Sequence, residues 1–170
     1  MRSWGNPIKI FPALLMLGFF LVSLTACGGG QETPQEEEPE TQIDLSSVTE
    51  RLLTEVPYEE ELVPVAPEVF FDLFGVAEED VAEQYNYFSG GATAEEIVVM
   101  KAVGREALDR LVKAAENRIA YQKDIYASYA PEEVVRLNNA VLLTEGDSLF
   151  LCISADSDKA REDIQEELDS

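Results

Sequence analysis

Arg118, Gln122, Tyr126 and Tyr129 follow one another at intervals of four, four and three residues. That spacing stacks side chains along one side of a helix. A guanidinium, an amide and two phenols gathered there would suit a carboxylate or a peptide backbone, with Arg118 supplying a fork of N–H donors. The same groups have a structural use. Long polar side chains half facing a core are costly unless paired, so they would otherwise satisfy backbone groups of the loop around Pro131. Tyr85, Tyr87 and Tyr121 add aromatic surface of the kind that meets sugars or peptides, although Tyr is also an ordinary strand and interface residue.

Other chemistries are excluded by composition. The chain has 170 residues, with 12 Lys or Arg against 34 Asp or Glu and a formal charge of −22. Nucleic acid is not an expected partner, because phosphate neutralisation needs clustered basic residues. There is no His, which removes the commonest general base and metal ligand. Two Cys make neither a disulfide framework nor a Cys₄ zinc site. Asp156-Ser157-Asp158 and Glu145-Gly146-Asp147 lack the alternation and distal Glu of a calcium loop, and fit caps and turns. No phosphate loop, dinucleotide fingerprint or Gly-x-Ser-x-Gly occurs. No metal and no cofactor are therefore expected. Cys152 sits in an apolar run, which disfavours a thiolate and suits a core residue. A hydrolase working with paired carboxylates is the alternative left by 34 acids, but no pair stands out.

Cys27 carries the most specific chemistry. Residues 1–9 hold Arg2 and Lys9 and no acid, and residues 10–24 are almost wholly apolar. That run is short for a membrane span of about 20 residues and suits a secretory signal. Leu24-Thr25-Ala26-Cys27 follows at once and matches the bacterial lipoprotein signal. Small residues let the peptidase hold extended backbone, and the Cys sulfur takes the diacylglyceryl group. The expected layout is a signal peptide over 1–26, a lipidated Cys27 with an acidic tether over 27–45, and one domain over 46–170. Cleavage would remove Arg2 and Lys9, leaving 10 basic residues against 34 acids. Two or more acyl chains, palmitate among them, give stable anchoring where one chain is marginal. The expected location is the extracytoplasmic face of the cell membrane. The tether, with Gly28-Gly29-Gly30 and Glu36-Glu37-Glu38 between Pro34 and Pro39, cannot bury enough apolar surface to order itself.

The domain must position the remaining residues. Ser47-Val48-Thr49-Glu50 has the capping-box pattern of a helix reaching about Thr54. Leu62, Val63 and Val65 make a short extended piece broken by Pro64. Pro67 opens a helix carrying Phe70, Phe71, Leu73 and Phe74, stopped by Gly75; its Phe residues are expected to anchor the core. Residues 82–89 and 96–103 alternate as a hairpin around Gly90-Gly91. Gly104 begins a long helix reaching about Tyr129, with Leu108, Leu111, Val112, Ala115, Ile119, Ile125 and Tyr126 on its apolar side. Glu106–Arg110 and Asp109–Lys113 are expected ion pairs on its wet side. Pro131-Glu132-Glu133 restarts a helical turn. Residues 140–144 and 149–154 form a second hairpin, whose apolar second strand is expected to be central. Asp156 caps a last helix to Leu168. The sum is an α+β fold: an antiparallel sheet of about four strands, from two hairpins, with one long helix and shorter helices packed on it.

This layout resembles an uncharacterised family of Gram-positive bacterial lipoproteins that carry a single domain of unknown function. The residues in question are Ala94-Glu95-Glu96-Ile97 before the Val-Met-Lys strand, Arg118, Gln122, Tyr126, Tyr129, Pro131-Glu132-Glu133, and Leu137-Asn138-Asn139-Ala140-Val141 followed by Gly146. The resemblance covers about two-thirds of the chain. It implies location and domain limits and brings no activity. The expected function is a membrane-anchored binding or assembly domain with an envelope protein partner; a cell-envelope hydrolase is the alternative.

Overall fold

The structure, a computed structural model, describes residues 43–170. The signal segment, Cys27 and most of the tether lie outside the described residues. Helix α1 (Leu45–Glu55) starts two positions ahead of Ser47, and its cap is Asp44. The Asp44 carboxylate accepts from the backbone N–H of Ser46 and Ser47 at 3.0 and 3.2 Å. An ionised acceptor satisfies two orphan donors and complements the helix dipole, so it prevails over the Ser47 box. Ser47 lies inside the helix and donates to Glu167.

Strand β1 (Leu62–Pro64) pairs antiparallel with β2 (Val81–Ser89). The sheet therefore has five strands, one more than the two hairpins supply. Pro64 is tolerated because β1 is an edge. Between these strands, α2 (Pro67–Phe74) starts on a proline and ends at Gly75, whose φ of +64° favours glycine. Phe70 and Phe74 are buried and Phe71 partly so, whereas Leu73 is exposed.

The strand order is β1-β2-β3-β5-β4, with β3 (Glu96–Ala102), β4 (Val141–Glu145) and β5 (Ser148–Ile153). The two hairpins join through the antiparallel β3–β5 pair, in which Ile97 faces Cys152 and Val98 faces Leu151. β5 is buried throughout, as its unbroken apolar run requires. Alternation along β3 and β5 divides the core in two. Ile97, Val99, Phe150 and Cys152 pack with α1 and α5 (Ser157–Leu168). Val98, Met100, Leu149, Leu151 and Ile153 pack with α2, α3 (Arg105–Tyr126) and α4 (Pro131–Asn138).

α3 ends at Tyr126, three residues earlier than the sequence suggests. Its inward track runs Leu111, Ala115, Ile119, Gln122 and Tyr126. Ile125 lies about 100° round the helix from Tyr126 and is 38% exposed. The expected pairs on α3 are exchanged for others. Arg110 forks Asp80 at 2.7 and 2.5 Å, Lys113 reaches Glu116 at 3.1 Å, and Asp109 lies 3.8 Å from Arg105. A bidentate contact to a nearly buried carboxylate outweighs a single exposed i,i+4 pair.

Candidate functional site

Glu95 and Glu96 close the loop after Gly91 and open β3, and both are buried. Strand alternation sends them to different surroundings. The Glu96 carboxylate, 1% exposed, meets α3. Its Oε2 accepts from Arg118 Nε and Nη2 at 3.3 and 3.1 Å and from Gln122 Nε2 at 2.8 Å. The Arg118 guanidinium carbon also lies 5.7 Å from the Phe74 ring centre and 5.3 Å from that of Phe88. A flat cation between two aromatic rings and a carboxylate is held by charge, dispersion and ring quadrupoles together. Burial pushes the Glu96 carboxyl above its usual range, opposed by Arg118 and Gln122.

Glu95 faces a second cluster. Its oxygens accept from the backbone N–H of Glu59 and Glu60 at 3.0 to 3.2 Å and from the Thr93 hydroxyl at 3.0 Å. Glu133 of α4 accepts from the Ala94 N–H at 2.7 Å and from Arg136 at 2.5 and 2.6 Å. Arg136 also pairs with Glu59 and lies 3.8 Å from Glu95. Three chain segments, namely the residues before β1, the loop before β3, and α4, are therefore fastened at one end of the sheet. Charges taken from water at this cost need such saturation.

Between the two clusters lies a cleft of about 230 Å³. Arg118, Gln122, Tyr126 and Tyr129 all line it, so the stripe read from sequence converges in space. Arg118 and Gln122 do not satisfy the loop around Pro131; their partner is Glu96, which helical spacing alone does not reveal. A signal for it exists in the sequence. By strand alternation Glu96 shares a face with Val98 and Met100, so an apolar strand that begins this early carries its carboxylate to the face that α3 covers. Gln122 is 5% exposed and Tyr129 62% exposed, so the stripe runs from buried to open. The Tyr126 and Tyr129 rings are 5.2 Å apart at the open end. Burial, and then Tyr129, push the Tyr126 phenol up to about 12. Two acceptors at the closed end have no donor within reach: Glu96 Oε1 and Gln122 Oε1.

Cys152 is a buried core residue, as expected. Its sulfur is 3.4 Å from the Tyr58 hydroxyl, which donates to the Leu52 carbonyl. Burial pushes its thiol up to about 11, against the lowering contact with Tyr58. Tyr121 is open to solvent on α3. Among the described residues no group of three or more His, Cys, Asp or Glu could hold a metal ion, and no helix is long and apolar enough to cross a membrane.

A family model described as "Domain of unknown function (DUF4358)" matches residues 56–154, more than half of the chain, and the chain belongs to that family. No curated protein and no solved structure matches it.

Proposed function

We propose, with membership of the DUF4358 family as the premise, that this is a lipoprotein of the Gram-positive type. Acyl chains on Cys27 would hold it on the extracytoplasmic face of the cell membrane. Its domain acts as a binding or assembly module that meets an envelope protein through the cleft beside Arg118. The observation that carries this reading is Leu24-Thr25-Ala26-Cys27, set directly after the apolar residues 10–24 and before an acidic tether.

Binding is favoured over the hydrolase alternative by how the buried acids are used. Asp80, Glu95, Glu96, Glu133 and Asp163 each already accept hydrogen bonds from side-chain or backbone donors. A hydrolase of this kind needs two carboxyls free to exchange a proton or attack; of the two that line the cleft, Glu95 has donors on both oxygens and only Glu96 Oε1 is unmet.

Two measurements test the proposal. Cells fed an alkyne-bearing palmitate should label the wild-type chain, and Cys27→Ser should lose both the label and processing at that site. A Cys27→Ser chain that matures normally and stays labelled defeats the anchoring. In-cell crosslinking with mass spectrometry should then recover an envelope protein with the wild type and lose it with Tyr129→Ala, at the open rim. Retention of the same partner by Tyr129→Ala defeats the cleft as the binding surface.

A further inference from the structure

We propose that the cleft receives a primary ammonium group, the end of a lysine-type side chain on a peptide segment; this rests on the binding role proposed above for the same cleft. The hydrogen-bonding ledger of the closed end points that way. Arg118 would be the natural fork for an incoming carboxylate, but its Nε and Nη2 are both engaged by Glu96 Oε2. The guanidinium is also packed against Phe74 and Phe88. What is unmet at the closed end is acceptor capacity. Glu96 Oε1 and Gln122 Oε1 are buried without donors, and the residues that carry them are 1% and 5% exposed. Turning the Gln122 amide over would not cure this, because its NH₂ would leave Glu96 Oε2. A carboxylate ligand would add acceptors to a place that already has too many. An ammonium brings three donors and no acceptor.

Charge and shape agree. Glu59, Glu95, Glu96 and Glu133 cluster at this end of the sheet against Arg118 and Arg136, on a chain of net charge −22. The excess is negative and attracts a cation. Tyr126 and Tyr129 supply ring faces at the open end, where a cation over an aromatic is favoured. The volume, about 230 Å³, falls below the roughly 300–1,000 Å³ of sites for drug-sized ligands. It suits one side-chain end. Tyr121 and Ile125, exposed on the same helix, offer apolar contact for the residues flanking that side chain.

The test is calorimetric titration of the purified full chain with four probes: N-acetyl-lysine methylamide, its Nε-acetylated form, N-acetyl-glutamate methylamide and phosphoethanolamine. The first should bind, the Nε-acetylated form should be weaker by about tenfold or more, as loss of a charge-assisted bond implies, and the other two should not bind. Glu96→Gln should weaken the lysine probe by about tenfold. Because Glu96 also supports the fold, Tyr129→Ala serves as a second variant, with a loss of about threefold from the rim. Binding of the glutamate probe in place of the lysine probe overturns the proposal. So does equal binding of the acetylated form, or of phosphoethanolamine, which would assign the ammonium to a lipid headgroup. If no probe binds while Tyr129→Ala still loses its crosslinked partner, the ammonium assignment falls and the cleft stands. If no probe binds and the partner is retained, both fall.

Discussion

On one face of the sheet, α1 and α5 close over Ile97, Val99, Phe150 and Cys152 and are fastened to each other by ion pairs. Asp163, fully buried, receives Arg51 Nε at 3.0 Å and Lys159 Nζ at 2.5 Å. Arg51 also pairs with Glu166 and Glu167. On the other face, Glu96 is as deeply buried, yet it has a single cationic partner, Arg118, and a cleft beside it. The first arrangement gives one carboxylate two cations and works as a clasp between helices. Each leaves one carboxylate oxygen without a donor, Asp163 Oδ2 and Glu96 Oε1; the second differs in its single cation, in the unpartnered Gln122 Oε1 beside it and in the adjoining cleft. The family match, residues 56–154, takes in all five strands and α2 to α4 but stops short of α1 and α5. Within the matched region one sheet face would stay bare, so in this chain the clasped helices cover it. Glu96 and its cleft lie inside the matched region, and Asp163 lies outside it.

The largest expected effects test whether both faces are equally essential. Phe150 points to the α1–α5 side and Leu151 to the α3 side, and both are fully buried. Phe150→Ala should cost about 3–5 kcal/mol and Leu151→Ala about 2–5 kcal/mol in urea unfolding. A cost under about 1 kcal/mol for Phe150→Ala alone, well below that of a filled core site, would mean that the α1–α5 layer is loosely seated.

Next comes the single-cation pair. Arg118→Ala should cost about 3 kcal/mol, where unpaired polar groups at roughly 1–3 kcal/mol meet broken buried ion pairs at roughly 3–5 kcal/mol. Unfolding midpoints in urea, with unchanged slope, would measure it. A stable Arg118→Ala protein would mean that Glu96 goes over to its neutral form without loss, and the contrast between the faces would weaken.

Much of this architecture was legible locally. The all-apolar stretch from Leu149 to Ile153 had to be an interior strand, and alternation around Gly90-Gly91 had to be a hairpin. Pro67 and Gly75 bracketed α2 through backbone constraints that no tertiary contact can revise. What escaped needed long-range information. Leu62–Pro64 becomes a strand only because β2 offers it an edge. Asp44 outbids Ser47 because a carboxylate makes the stronger cap. At the site, helical spacing brought Arg118, Gln122, Tyr126 and Tyr129 onto one track but was silent about Glu96, 22 residues before Arg118. Their meeting depends on how α3 lies on β3, which periodicity within α3 does not encode.

A smaller effect is carried by pH. Burial raises the folded-state carboxyl of Glu96 above its ordinary 4.5. Its favourable contribution is therefore full below that value and is lost as pH rises through the folded-state value. The slope is at most about 1.4 kcal/mol per pH unit for one proton. Asp44 and Asp80 are shifted the other way, below 3.8, so their contributions are present above that value and lost further down. The two windows do not coincide. Stability of the wild type minus that of Glu96→Gln should fall as pH rises from about 4.5 towards neutrality. A difference independent of pH over that range would show that Arg118 and Gln122 cancel the burial of Glu96 completely.

The smallest change is expected at the clasp, and it separates two ways of holding a buried acid. Lys159→Ala removes one cation from Asp163 but leaves Arg51 Nε at 3.0 Å. The Lys159 side chain is partly exposed, and its charge is raised in pKa chiefly by the bond to Asp163. Solvent and salt screen such a contact, while the remaining guanidinium keeps the carboxylate paired. The urea midpoint should therefore move less for Lys159→Ala than for Arg118→Ala, and the shift should shrink further in high salt. The double change Arg51→Ala with Lys159→Ala strips Asp163 of both cations. It should lower the midpoint by more than the two single changes together, because either cation alone suffices to keep the buried acid paired. If Lys159→Ala alone matched Arg118→Ala, redundancy of partners would not be what distinguishes the two faces, and the contrast would rest on the cleft beside Glu96 alone.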